Sequence, residues 1–139
     1  LRAGLAFTGL NANAPLLGEI DTDNDGVLTA MEVLNLDLAG TQLVVLSACE
    51  TGLGEINEGE GVYGLRRSFQ EAGVSNVVNS FWEVSDAGTQ LLMTKFYAKF
   101  LGGMPAREAM REARLEMLET LEWSAPYYWS AFVLVGRNS

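Results

Sequence analysis

The chain has 139 residues, 48% of them hydrophobic, and carries 9 Lys and Arg against 18 Asp and Glu, for a net charge of -9. That length and apolar content suffice for one packed core and exclude a disordered chain; the acidic balance argues against broad attraction to nucleic acid or anionic membranes and suits cations and basic substrates. A single cysteine excludes an internal disulfide, no apolar run approaches the ~20 residues of a membrane span, and no signal peptide is recognisable.

In chain order, residues 1–9 are expected to form a short helix, and Asn, Pro and Gly punctuate a loop over residues 11–18. Residues 29–36 read as a second helical stretch entered through Thr29. The aliphatic run Leu43-Val44-Val45-Leu46 reads as a strand buried on both faces, ending at Ser47. A polar, glycine-rich loop follows, then a helix over residues 60–72 with Val62, Leu65, Phe69 and Ala72 at helical spacing and Gly73 at its carboxyl end. Residues 76–82 are the next strand and residues 86–101 a long helix stopping at Gly102-Gly103. Pro105 suits a first helical position, after which Ala106, Met110, Ala113, Met117 and Leu121 mark one apolar face. Residues 129–135 close the chain as a buried strand. Alternation of this kind argues an α/β fold with a mostly parallel sheet, and the lack of internal repeats argues one domain.

Two features carry chemistry. Cys49 follows the first buried strand at its carboxyl end, where open α/β sheets place their sites, with Ser47, Thr51, Gly52 and Gly54 around it. An unpaired cysteine is otherwise a small buried hydrophobe, so nucleophile and core residue both stand as readings. The second feature, Asp21 to Glu32, fits the twelve-residue EF-hand calcium loop at each diagnostic position. Asp21, Asp23 and Asp25 offer carboxylates, Val27 a carbonyl, Thr29 a hydroxyl or bridging water, and Glu32 a bidentate carboxylate, while Gly26 permits the sharp turn. The competing reading is a solvated acidic turn in which Thr29 caps a helix. Magnesium is the weaker cation here because it resists all-protein cages.

The blocks Asp25-Gly26-Val27-Leu28-Thr29-Ala30, Leu43 to Gly54, Gly59 to Arg67, Ser80-Phe81-Trp82-Glu83-Val84-Ser85-Asp86 and Tyr127-Tyr128-Trp129-Ser130-Ala131-Phe132 resemble, in this order, the CHAT family of caspase-like cysteine peptidases related to separase and the gingipains. The resemblance covers nearly the whole chain. It implies a caspase-like sandwich with a mostly parallel central sheet and helices on both faces, of which this chain is the C-terminal part. It also implies a cysteine nucleophile at Cys49 paired with a histidine from an earlier strand, and family members often carry tetratricopeptide repeats. This chain contains no histidine. Because it opens at Leu1-Arg2-Ala3-Gly4 without an initiator methionine, it is expected to be a processed or excised piece whose partner is the histidine-bearing N-terminal fragment of the same peptidase.

The expected reaction is therefore peptide hydrolysis through Cys49, with the imidazole supplied from outside the chain, in a cytoplasmic setting. Trp82, Glu83 and Asp86 lie where the resemblance implies a pocket wall, and their acidity would favour Arg or Lys before the cut bond. Asp86 could instead cap the helix it precedes, and Trp82 could belong to the core. Calcium at residues 21–32, just ahead of the Cys49 strand, is expected to act as an activator. A catalytically inactive scaffold or a calcium-binding interaction module is the alternative.

Overall fold

A computed structural model describes residues 4–6, 26–46, 58–82 and 84–136. The chain divides into two compact units, residues 1–39 with 50–73 and residues 40–49 with 74–139.

In the first unit, β1 (Gly4–Ala6) pairs antiparallel with β2 (Val27–Thr29), in the register Leu5 opposite Leu28. The expected helix over residues 1–9 is thus corrected at its described residues. Gly4 and Gly9 weaken any helix there, and cross-strand pairing overrides local propensity. Gly4 also permits the close approach: a Cβ on it would lie 2.8 Å from Val27 Cγ1. Thr29 then caps α1 (Ala30–Leu34), as the sequence predicts for a helix entered through threonine. This helix packs on α2 (Glu58–Glu71), with Val33, Leu65 and Phe69 buried. Gly73 ends that stretch at φ +112°, where a side chain would meet the Ala39 backbone at 2.9 Å. Here only glycine fits.

The second unit holds a three-stranded sheet of β3 (Leu43–Leu46), β4 (Asn76–Ser80) and β5 (Phe132–Gly136), in the order β3-β4-β5. β3 and β4 are parallel, with Val45 opposite Val78; β4 and β5 are antiparallel, with Ser80 opposite Phe132. The fold is α/β, but one of these two pairings is antiparallel, because β5 re-enters from a short helix at the carboxyl end of β4. That helix, α5 (Pro126–Trp129), takes Trp129 out of the expected strand: Pro126 opens a turn closed by the Ser130 N–H donating to the Pro126 carbonyl at 2.8 Å.

Two helices, α3 (Asp86–Leu101) and α4 (Ala106–Leu118), cover one face of this sheet. Leu92, Phe96, Met110 and Met117 bury themselves against Val78 and Phe132. Each such side chain contributes about 1.5–3 kcal/mol of burial. The predicted apolar face of α4 holds for Ala106, Met110, Ala113 and Met117, whereas Leu121 lies past the helix end and is 97% exposed. Pro105 occupies the N-cap, one place before the expected position. Lys95 and Lys99 of α3 both grip Glu116 of α4, the former at 2.7 Å.

Candidate functional site

Because β3 and β4 run parallel, their carboxyl ends open on the same end of the sheet, the end at which α/β folds place their chemistry. Cys49 follows Leu46 by three positions. Cys49 itself, with Ser47, Glu50, Thr51, Gly52 and Gly54, lies outside the described residues, as does Glu83.

Beyond β4, Phe81 continues the sheet, its N–H donating to the Ala131 carbonyl at 2.9 Å. Trp82 then turns outward. Its indole Nε1–H donates to the Tyr127 carbonyl at 3.1 Å, joining positions 45 residues apart, and the side chain is 37% exposed. Trp82 is therefore a surface residue at the strand end and not part of the core. Tyr127 is 53% exposed, and its ring meets Tyr128 edge to face at 5.5 Å, while Tyr128 meets Trp123 edge to face at 5.0 Å. Trp129 Nε1–H donates to the Ser124 carbonyl at 3.1 Å. Such aromatic pairs add roughly 0.5–1.5 kcal/mol beyond their area, so this corner is held by rings as well as backbone.

The first turn of α3 abuts the same corner. Gly88 leaves room for it: a Cβ there would sit 3.0 Å from Tyr128 Cδ1 and 3.4 Å from Trp123 Cζ3. Ser85, not Asp86, is the N-cap, its hydroxyl accepting the Gly88 N–H at 3.3 Å. Asp86 sits one residue inside the helix and is exposed, its carboxylate placed at the positive end of the helix dipole and not used in the cap hydrogen bond. The alternative reading of Asp86 as the cap falls one residue late, since Ser and Asp are equally good caps.

A residue that sequence reasoning missed is Arg114 of α4. Its guanidinium donates to the Phe132 carbonyl at the start of β5, and burial pulls it below the ordinary arginine range. It pins the backbone that supplies the Ala131 carbonyl to Phe81. Three arginines, Arg107, Arg111 and Arg114, fall at helical spacing along α4, and nothing in the local sequence separates Arg114 from the other two.

In the other unit, the segment expected to bind calcium is described from Gly26 onward, so Asp21, Asp23 and Asp25 lie outside the described residues. Gly26 has φ +77°, the left-handed turn that such a loop requires at its sixth position. Val27 opens β2, and Thr29 and Glu32 form a capping box. The Thr29 N–H donates to Glu32 Oε2 at 2.6 Å, and the Glu32 N–H donates to Thr29 Oγ1 at 3.3 Å. The Thr29 backbone bond, followed by its side chain, holds the Glu32 carboxyl below its usual range. Helix capping thus engages one Glu32 oxygen, and among the described residues no three acidic groups come together as a cation site.

Comparison with known proteins gives the site its family. Residues 112 in number align with Tetratricopeptide repeat protein 28 of Homo sapiens at 34% identity, covering 81% of this chain and 4% of that protein. The Mus musculus protein of the same name aligns at 32% identity over equal shares. The chain thus spans only a small part of the curated relatives it matches. The sequence pattern of the CHAT domain matches residues 1–137, nearly the whole chain, and the chain belongs to the CHAT domain family, a caspase-like family related to peptidases.

Proposed function

We propose that this chain is the thiol-bearing part of a caspase-like cysteine endopeptidase. The observation that supports the reading is the parallel pairing of β3 with β4, which puts the carboxyl ends of the strands that precede Cys49 and Trp82 in the sequence at one end of the sheet. Cys49 attacks the scissile carbonyl as thiolate, forming a carbon–sulfur bond, while its backbone N–H supports the oxyanion. An imidazole takes the thiol proton and returns it to the leaving amine; water then hydrolyses the thioester.

The chain has no histidine, so this base comes from a separate segment. β3 supports that reading. It is purely aliphatic, yet only half-buried, with β4 as its one strand neighbour among the described residues. An apolar edge strand is a template for further pairing, and a strand added there parallel to β3 would end beside the carboxyl end of β3, at Leu46. The lack of histidine also favours a second reading, an interaction scaffold with an inert thiol. The deciding experiment is peptide cleavage by the full-length natural protein. Activity abolished by Cys49→Ala supports the peptidase, whereas cleavage unchanged by that substitution, or none across a broad peptide library, leaves the scaffold.

Substrate choice in this proposal falls to Trp82, Asp86 and Glu83, with preference for Arg or Lys before the scissile bond. Calcium at Asp21, Asp23, Asp25, Val27, Thr29 and Glu32 completes it, on the strength of the Gly26 turn and the oxygen donors. Isothermal titration should show calcium binding that Asp23→Ala removes, and no heat at millimolar calcium would end this part.

A further inference from the structure

We infer that Tyr127, through the face of its ring, selects a guanidinium-bearing substrate side chain together with Trp82. The inference rests on the peptidase reading and adds to it a residue from the far end of the chain. Three observations converge. The Trp82 indole donates to the Tyr127 backbone carbonyl at 3.1 Å, which brings residue 127 of α5 to the carboxyl end of β4 beside that indole. Both are large aromatic side chains with substantial exposure, 37% and 53%, beside Phe81 at 39%. Packing on Tyr128 sets the Tyr127 ring at 78° to its neighbour.

The helix turn next to these rings carries an exposed carboxylate. Asp86 stands exposed in the α3 turn that abuts Tyr128 through Gly88, and the chain as a whole carries a net charge of -9. A cation with a flat, weakly hydrated surface is the ligand that combines these features: an arginine stacks on an aromatic face while its N–H groups reach a carboxylate. Lysine, a compact and strongly hydrated charge, gains less from the rings. Acidity alone would treat the two alike; the aromatic pair separates them.

The test is an NMR titration of the protein, following the Trp82 indole N–H, with two tetrapeptides that differ only in arginine against its neutral isostere citrulline. The arginine peptide should bind about two- to fivefold more tightly, the range of an exposed cation–π contact. That margin should persist in Tyr127→Phe, which keeps the ring, and vanish in Tyr127→Leu, which keeps apolar bulk without it. Equal binding of the two peptides to the unaltered protein overturns the inference, as does a margin that survives Tyr127→Leu or is lost in Tyr127→Phe. Should Tyr127→Leu fail to fold, the unaltered complex decides: contacts between arginine Hδ protons and the Tyr127 ring are expected, and their absence overturns the assignment. Since binding is read without turnover, failure to cleave any peptide would sink the peptidase reading while leaving this outcome separately legible.

Discussion

β3 and β4 lie side by side and parallel, yet their composition and burial are inverted. β3 is Leu43-Val44-Val45-Leu46 and is half-buried throughout; β4 is Asn76-Val77-Val78-Asn79-Ser80 and is buried at every position. Hydrophobicity sets what a strand can tolerate, but its place in the sheet sets what it receives. The polar strand occupies the centre, between β3 and β5, and meets its needs selectively: Asn76 Nδ2 donates to the Gln42 carbonyl at 3.1 Å, while both amide atoms of Asn79 are buried without a hydrogen-bond partner. Among the described residues, the apolar strand occupies the edge. Its surplus of aliphatic surface is the mark of a strand suited to an interior place.

This contrast can be broken by substitution. The largest effect is expected behind β4, where Phe96→Ala removes the ring packed in the cluster around Val78 and should cost about 3–5 kcal/mol in denaturant unfolding. Within the paired row, Val78→Ala should cost about 2 kcal/mol and Val45→Ala roughly half as much, because only the first side chain is fully buried. Equal costs would remove the distinction between centre and edge.

Asn79 tests the opposite sign. It projects from the sheet face opposite Val78, in one row with Leu46 and Val133, and is 1% exposed. Replacing this unpaired amide by Val should raise stability by about 1 kcal/mol, since a buried group without its hydrogen bonds costs roughly 1–3 kcal/mol. A loss of stability would mean that the amide is satisfied in solution. The smallest effect concerns pH. Hydrogen bonds from Lys95 and then Lys99 lower the Glu116 pKa from its usual 4.5. Their contribution is complete above that value and disappears as pH falls through the lowered one. The side chain is 38% exposed and screened, so Glu116→Gln should cost less than about 1 kcal/mol at neutral pH, and the gap should close in acid. A gap that widened in acid would contradict this sign.

Much of this arrangement was legible in the sequence. The long helices, the strands at β3 and β4, the Thr29 cap and the glycine stop after α2 follow from periodicity and capping, which act over a few residues. What local rules could not reach was set by distant partners. β1 forms because β2 lies opposite it, and Trp129 falls in a helix because Pro126 starts one. Likewise, Leu121 showed helical spacing but lies past the end of α4. At the site, the family motifs marked Trp82 and Asp86 at the strand end, but the hydrogen bond that couples Trp82 to Tyr127 spans 45 residues and leaves no short-range trace.

The account turns on whether the thiol that follows β3 works as a nucleophile with a base from elsewhere. The most direct measurement is mass spectrometry of the full-length natural protein after treatment with an arginyl peptide ketone. One covalent adduct on Cys49 is predicted, lost when the proposed histidine-bearing segment is removed and restored when that segment is added back. An unmodified Cys49 in the protein that carries that segment, or equal labelling with and without it, would contradict the account.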